Sequence, residues 1–236
     1  MTLWHNGPMV GFDTETTGTD PRAARIVSVC LAGCEAGSTP TVQLWLIDPG
    51  VEIPAEAAAV HGITTAMARR DGRPPPEVVE EVATALVTAW IQGIPVVAMN
   101  AAYDVTVLDT ELGRHHLPRL HDRLDGRPML IIDPLVIDRH LDRYRPGKKR
   151  LENLCSHYRV QLENAHTADA DAIAAARVAW RLAERFPAAL GRDLHSLQAN
   201  QAAWHRQWAE SFETWMRENV DAATTIERDW PLRMAP

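Results

Sequence analysis

The stretch that most constrains this chain runs from Met9 to Gly18, where an apolar strand-like segment, Met9 to Phe12, passes directly into Asp13-Thr14-Glu15-Thr16-Thr17-Gly18. Side chains alternate along a strand, so Asp13 and Glu15 share one face and Thr14 takes the other. Two carboxylates side by side at the end of a buried strand repel each other and lose hydration. A divalent cation between them removes that cost. An isolated Asp-x-Glu is ordinarily an acidic turn after an edge strand. Here Thr16-Thr17-Gly18 follows it, and three distant segments carry matching chemistry.

The rest of the chain supplies a sheet around that stretch. Apolar runs at 9–13, 25–31 and 41–47, with Gly33, Gly37 and Pro40 between the last two, read as an antiparallel meander. An Ala/Glu-rich helix over 54–60 leads to His61-Gly62, and 69–76 reads as a loop because its consecutive prolines stop a helix. Val78, Val79, Val82, Leu86, Val87 and Trp90 repeat at helical spacing. Residues 95–99 and 129–132 read as further strands, and Asn100 is placed to cap a helix over 102–112. A short helix over 151–159 and an Ala-rich one over 166–186 follow. This order predicts an α/β fold with a mixed sheet.

At 236 residues the chain has room for one domain with an appended helical piece. We place the body at 1–186 and a tryptophan-rich helical extension at 187–236. In the extension Leu190, Leu194, Leu197, Trp204, Trp208 and Trp215 fall on one helix face, interrupted at Gln201 and Ser211. That stripe reads as a terminal helix packed on the body or as a surface for a second copy or a partner protein. No apolar run is long enough to span a membrane, and a cytoplasmic protein is expected. Cys30, Cys34 and Cys155 are odd in number and read as core thiols. The net charge of −7 argues against coating nucleic acid through a broad basic surface. It leaves room for gripping a few phosphates, and residues 143–150 carry five cations and no acid.

Five segments carry acids, histidines or cations in a telling order. They are Phe12 to Gly18, Asn100-Ala101-Ala102-Tyr103-Asp104, Pro146-Gly147-Lys148-Lys149-Arg150-Leu151 with its cations, and His166-Thr167-Ala168-Asp169-Ala170-Asp171-Ala172; Val60-His61-Gly62-Ile63-Thr64 joins them. As a set they resemble the DEDDh 3′–5′ exonucleases, the DnaQ-like family, with the proofreading epsilon subunits of bacterial replicative polymerases the nearest likeness. The resemblance covers roughly residues 8 to 185. It implies a ribonuclease H-like fold, a mixed five-stranded sheet flanked by helices, here with a C-terminal helical extension.

The implied chemistry is metal-dependent hydrolysis at the 3′ end of single-stranded DNA, releasing nucleoside 5′-monophosphates. Alternatives are an exoribonuclease of the same family and a non-catalytic accessory subunit of a polymerase. Two hard cations, Mg²⁺ or Mn²⁺, activate a water and relieve charge on the leaving oxygen, and an all-carboxylate donor set suits them better than zinc. The resemblance makes Asp13, Glu15, Asp104 and Asp171 the metal ligands and His166 the general base. A helical step of five residues turns two side chains ~140° apart, so His166 belongs on the loop before the helix that carries Asp171. Asp169 reads as a solvated first-turn acid. The resemblance also places Thr16, Thr17, His61, Gly62 and Asn100 against the terminal nucleotides, with Lys148, Lys149 and Arg150 on upstream phosphates. Met99 and Tyr103 depart from the His and Phe that relatives often carry there.

Overall fold

The computed structural model describes residues 3–162, 166–191 and 193–233. Three strands, β1 (Met9–Thr16), β2 (Ile26–Cys34) and β3 (Thr41–Leu46), form the antiparallel meander. Two short strands, β4 (Val96–Val97) and β5 (Ile131–Ile132), extend it in parallel with β1, giving the order β3-β2-β1-β4-β5. Helical crossovers separate β3, β4 and β5 in sequence, which is why these additions are parallel. The result is the mixed five-stranded sheet flanked by helices that the motif set implied. β1 continues past Asp13, with Asp13 opposite Cys30 and Glu15 opposite Ser28, before the pairing shifts between Glu15 and Thr16. The two acids are therefore held by ladder hydrogen bonds rather than standing on a loop.

Helices cover both faces. Phe12 of β1 packs into a core with Val82 and Leu86 of α3 (Pro75–Ile91) and Leu108 and Leu112 of α4 (Ala101–Arg114). On the other face α7 (Ala168–Arg185) lies across β1 and β2 and buries Ala175, Val178, Ala179 and Leu182. Its alanines let it approach closely, and Gly11 completes the fit: a Cβ there would stand 2.4 Å from the Ala172 carbonyl oxygen. This contact sets the height of Asp171 above the acids of β1.

Two local readings change. Residues 65–71 are helical (α2, Thr65–Asp71) after α1 (Ala55–His61), with the Thr64 hydroxyl accepting from Met67 N at 3.2 Å. The expected loop over 69–76 is accordingly shorter, because Pro74 and Pro75 begin α3 instead of ending a helix; a proline at the first helical position lacks only an N–H that has no partner there. An additional helix, α5 (Pro134–Leu141), follows β5 and precedes α6 (Leu151–Tyr158).

After α8 (Pro187–Leu190) the chain enters α9 (Leu194–Asn219), which packs on α5. Gln201 breaks the apolar stripe for a structural reason. Its Oε1 accepts from Asp133 N at 2.7 Å and its Nε2 donates to Ile131 O at 2.8 Å, while Gln198 Oε1 accepts from Ile131 N at 2.9 Å. Two glutamines thus close the open edge of β5, which would otherwise present unpaired backbone groups. Leu190 and Leu197 enter the core under α7, and Trp230 enters the core under α4. No helix among the described residues is long and apolar enough to cross a membrane.

Candidate active site

Asp13 and Glu15 rise from β1 on the face covered by α7, and Asp171 descends to them from the first turn of that helix. One carboxylate oxygen from each lies within 4.8 Å of the others. The cluster is electrostatically costly. Burial pushes the Asp13 carboxyl well above its usual range, and Asp104, Glu15 and Asp171 push it further. Burial, then the charges of Asp171 and Asp104, push Glu15 up to about 8. Burial also raises Asp171, against the opposing influence of His166. Asp171 Oδ2 accepts from His166 N at 3.3 Å, while its Oδ1 is buried with no hydrogen-bond partner. Three crowded oxygen donors, one without a partner, fit a hard divalent cation, which offsets both the repulsion and the lost hydration.

Asp104 stands outside that trio. It reaches β1 from α4 on the opposite face, and its Oδ1 accepts from Thr14 N at 3.1 Å and from Thr14 Oγ1 at 2.6 Å. Thr14 takes the face opposite Asp13 and Glu15, as alternation requires, and ties the α4 acid to the strand. Burial raises Asp104 to about 7 against those two hydrogen bonds, with Asp133 adding to the rise.

Asp133 is a residue that motif reasoning overlooked. Fully buried, it accepts from Asn100 N and Ala101 N, both at 3.0 Å, from Leu135 N at 2.9 Å and from Trp230 Nε1 at 3.2 Å. One carboxylate caps α4 and α5 together and so positions Asp104. Asn100, the expected cap, adopts a left-handed φ of 64° and makes no side-chain capping bond, while Asp133 takes the N–H groups of Asn100 and Ala101. Asp-Pro ahead of an apolar run was the available signal.

His166 is exposed, has φ 71°, and sits two residues before α7, so the spacing argument placed it correctly off the helix. Asp169 lies half-buried in the first turn of α7 and outside the trio. At the end of β1 the Thr16 and Tyr103 hydroxyls meet at 2.5 Å and both face the Gly18 carbonyl, while Thr17 Oγ1 accepts from Arg25 N at 2.9 Å. The tyrosine in place of phenylalanine therefore braces the turn behind the acids. His61 is buried at the end of α1, its Nδ1 accepting from Ile63 N at 3.1 Å, and Gly62 ends that helix at φ 76°. Burial lowers the His61 pKa, opposed by the Thr16 backbone, so this histidine lies beside the strand end.

The basic loop is more committed than its composition suggests. Asp138, fully buried, binds Arg145 Nε at 3.1 Å, Lys149 Nζ at 2.7 Å and the Tyr158 hydroxyl at 2.7 Å. Burial works to raise Asp138, but those three donors hold it below the usual carboxylate range. Lys149 is thus a structural cation, whereas Lys148 and Arg150 are exposed. All three cysteines are free thiols; burial pushes Cys30 up to about 12 and Cys155 up to about 11, which removes them as nucleophiles at neutral pH.

A family model described as exonuclease matches residues 10–179. Curated relatives include the PolC-type DNA polymerase III of Streptococcus agalactiae, 31% identical over 176 residues, covering 74% of this chain and 11% of the relative. That of Lacticaseibacillus paracasei is 27% identical over 173 residues, covering 73% and 11%. The chain spans about a tenth of the length of these curated relatives. Among solved structures, E. coli exonuclease I in complex with a dT13 oligonucleotide has a TM-score of 0.63 at 18% identity, covering 77% of this chain and 42% of that one. An exonuclease I from Methylocaldum szegediense has a TM-score of 0.63 at 23% identity, covering 88% and 45%.

Proposed function

Because this chain belongs to the exonuclease family, matched over residues 10–179, we propose that it hydrolyses the terminal phosphodiester at the 3′ end of single-stranded DNA and releases nucleoside 5′-monophosphates. The observation that carries the reading is the trio Asp13, Glu15 and Asp171, with its unpartnered buried oxygen. The choice of DNA draws on solved neighbours whose partners are oligodeoxynucleotides.

In this reading Asp13, Glu15 and Asp171 hold the divalent ions, two Mg²⁺ or Mn²⁺, and Asp104 completes the set from α4. When bound, the ions would lower the pKa of a water and offset charge on the phosphoryl group. His166 would serve as the general base; its place on the turn before α7 lets the ring reach a substrate without disturbing the helix that fixes Asp171. Thr16, Thr17, His61, Gly62 and Asn100 line the approach to the strand end, and exposed Lys148 and Arg150, the latter 4.0 Å from Glu152, meet upstream phosphates. Asp133 positions Asp104 through α4 and is not itself catalytic.

A gel assay with 3′- and 5′-labelled single-stranded DNA, RNA and duplexes, in magnesium, manganese or chelator, tests the reading. The expected result is stepwise shortening from the 3′ end of single-stranded DNA, metal-dependent, and abolished in Asp13→Ala and Asp171→Ala with their circular dichroism unchanged. Cleavage that survives chelation or either substitution would remove the metal mechanism.

A further inference from the structure

The described residues carry a second feature that the acidic site does not use: an open groove between α5 and the outer half of α9. We propose that this groove is a separate contact for single-stranded nucleic acid, taking a base on Trp215 and an adjoining phosphate on Arg143. The proposal rests on the exonuclease reading and extends it to the strand upstream of the cleaved end.

Trp208, Phe212 and Trp215 follow one another along α9 as a stack of near-parallel rings. Trp208 and Phe212 lie 5.3 Å apart at 16°, and Phe212 and Trp215 lie 6.0 Å apart at 9°. Arg139 closes the inner end with its guanidinium carbon 3.7 Å from the Trp208 ring centre. His140 stacks on Trp204 at 4.4 Å and 10°. The outer end is open, since Trp215 is 51% exposed. A large apolar ring left half in water at the end of an ordered stack offers a planar face to a further ring.

The charge of the groove points to an anion. Arg139, His140, Arg143 and Lys149 line it and no carboxylate does, in a chain of net charge −7. Arg139 and Lys149 are balanced by buried Asp133 and Asp138, whereas Arg143 is exposed and makes no ion pair among the described residues. Tyr144 beside it is 90% exposed, with the Arg143 guanidinium carbon 5.9 Å from its ring. Tyr144 and Trp215 are the exposed Trp, Tyr or Phe side chains among the described residues; Trp215 lines the groove, and Tyr144 follows Arg143, which lines it too. Parallel aromatic faces beside an unpaired cation match the alternation of bases and phosphates in a single strand. An acidic peptide would use the cation but not the stack. The loop that carries Arg143 and Tyr144 leads directly into α6, which packs on the helix bearing Asp171.

The full chain is tested by fluorescence anisotropy in chelator with a single strand of about 20 nucleotides, and in parallel by hydrolysis of a dinucleotide with metal, which fills the acidic site alone. Trp215→Ala is expected to weaken binding of the long strand about 5- to 100-fold, the range for losing one base–aromatic stack. Arg143→Ala is expected to lower the salt dependence of binding by about one phosphate's worth, a slope change of about 0.7. Both variants should hydrolyse the dinucleotide at the wild-type rate. Unchanged long-strand binding in both variants, with dinucleotide hydrolysis intact, overturns the groove and leaves the exonuclease reading standing. Absence of dinucleotide hydrolysis in the wild type, with binding still dependent on Trp215, overturns the exonuclease reading and retains the groove as a nucleic-acid surface. An acidic peptide that binds the wild type but not Trp215→Ala, or a loss of self-association in that variant by light scattering, each with strand binding unchanged, overturns the proposal in favour of a protein occupant.

Discussion

Glu15→Gln should stabilise the metal-free protein, and increasingly so as pH rises. The folded protein holds Glu15 uncharged up to about 8 instead of 4.5, so between those values it binds a proton that the unfolded chain releases. For an acid raised in this way, stability is highest below the unfolded pKa and falls as pH climbs to the folded one. At 1.36 kcal/mol per pH unit the penalty at pH 8 is on the order of 4–5 kcal/mol. Glu15 is half-buried and shares its repulsion with Asp13 and Asp171, so a return of about 2 kcal/mol on neutralising it is a fair scale. For a chain of this length that is a rise in Tm of about 4–8 °C. The assay is thermal unfolding from acid to alkaline pH, in chelator and in Mg²⁺ or Mn²⁺. In chelator the two proteins should melt together below about pH 4.5 and separate steadily towards pH 8. With metal the order should reverse, because the wild type regains stability by binding and the variant has lost a donor. A difference that does not vary with pH, or a variant less stable than the wild type in chelator at pH 8, would refute the account of the acidic trio.

His166→Ala should lower kcat by about 10²-fold or more while leaving the metal-induced rise in Tm intact; a full rate would assign proton removal to another group. Gly11→Ala places a methyl against the Ala172 carbonyl and should cost about 1–3 kcal/mol, with weaker Mn²⁺ binding by calorimetry because α7 and Asp171 are lifted from β1. Wild-type metal affinity in that variant would show that α7 is not held by this contact. Gln201→Leu leaves Asp133 N and Ile131 O without partners and should lower Tm by about 4–24 °C, at 1–3 kcal/mol for each of the two orphaned groups. A Tm within experimental error of the wild type would mean the β5 edge is satisfied some other way.

Much of the site was legible before any coordinates, for local reasons. Strand alternation put Asp13 and Glu15 on one face and Thr14 on the other, and the helical period kept His166 off the helix of Asp171. These are properties of backbone geometry over a few residues, so the order of amino acids suffices to state them. The meander, too, followed from short connections. Proline was ambiguous at that level, since the same residue ends one helix and begins another, and only the entry of α3 at Pro75 separated the two.

What the tertiary structure alone decided is where polar side chains find partners far away in sequence. Gln201 looked like a flaw in an apolar stripe and turned out to close the edge of β5, 70 residues earlier. Asp133 took the capping role expected of Asn100, and Asp138 drew Lys149 out of a loop whose composition suggested five free cations. Asp104 met the strand through Thr14 from the opposite face, across 90 positions. Periodicity reports which face a residue occupies, but a buried hydrogen-bonding group is satisfied by whatever the fold brings beside it, and that neighbour is set by packing of the whole chain.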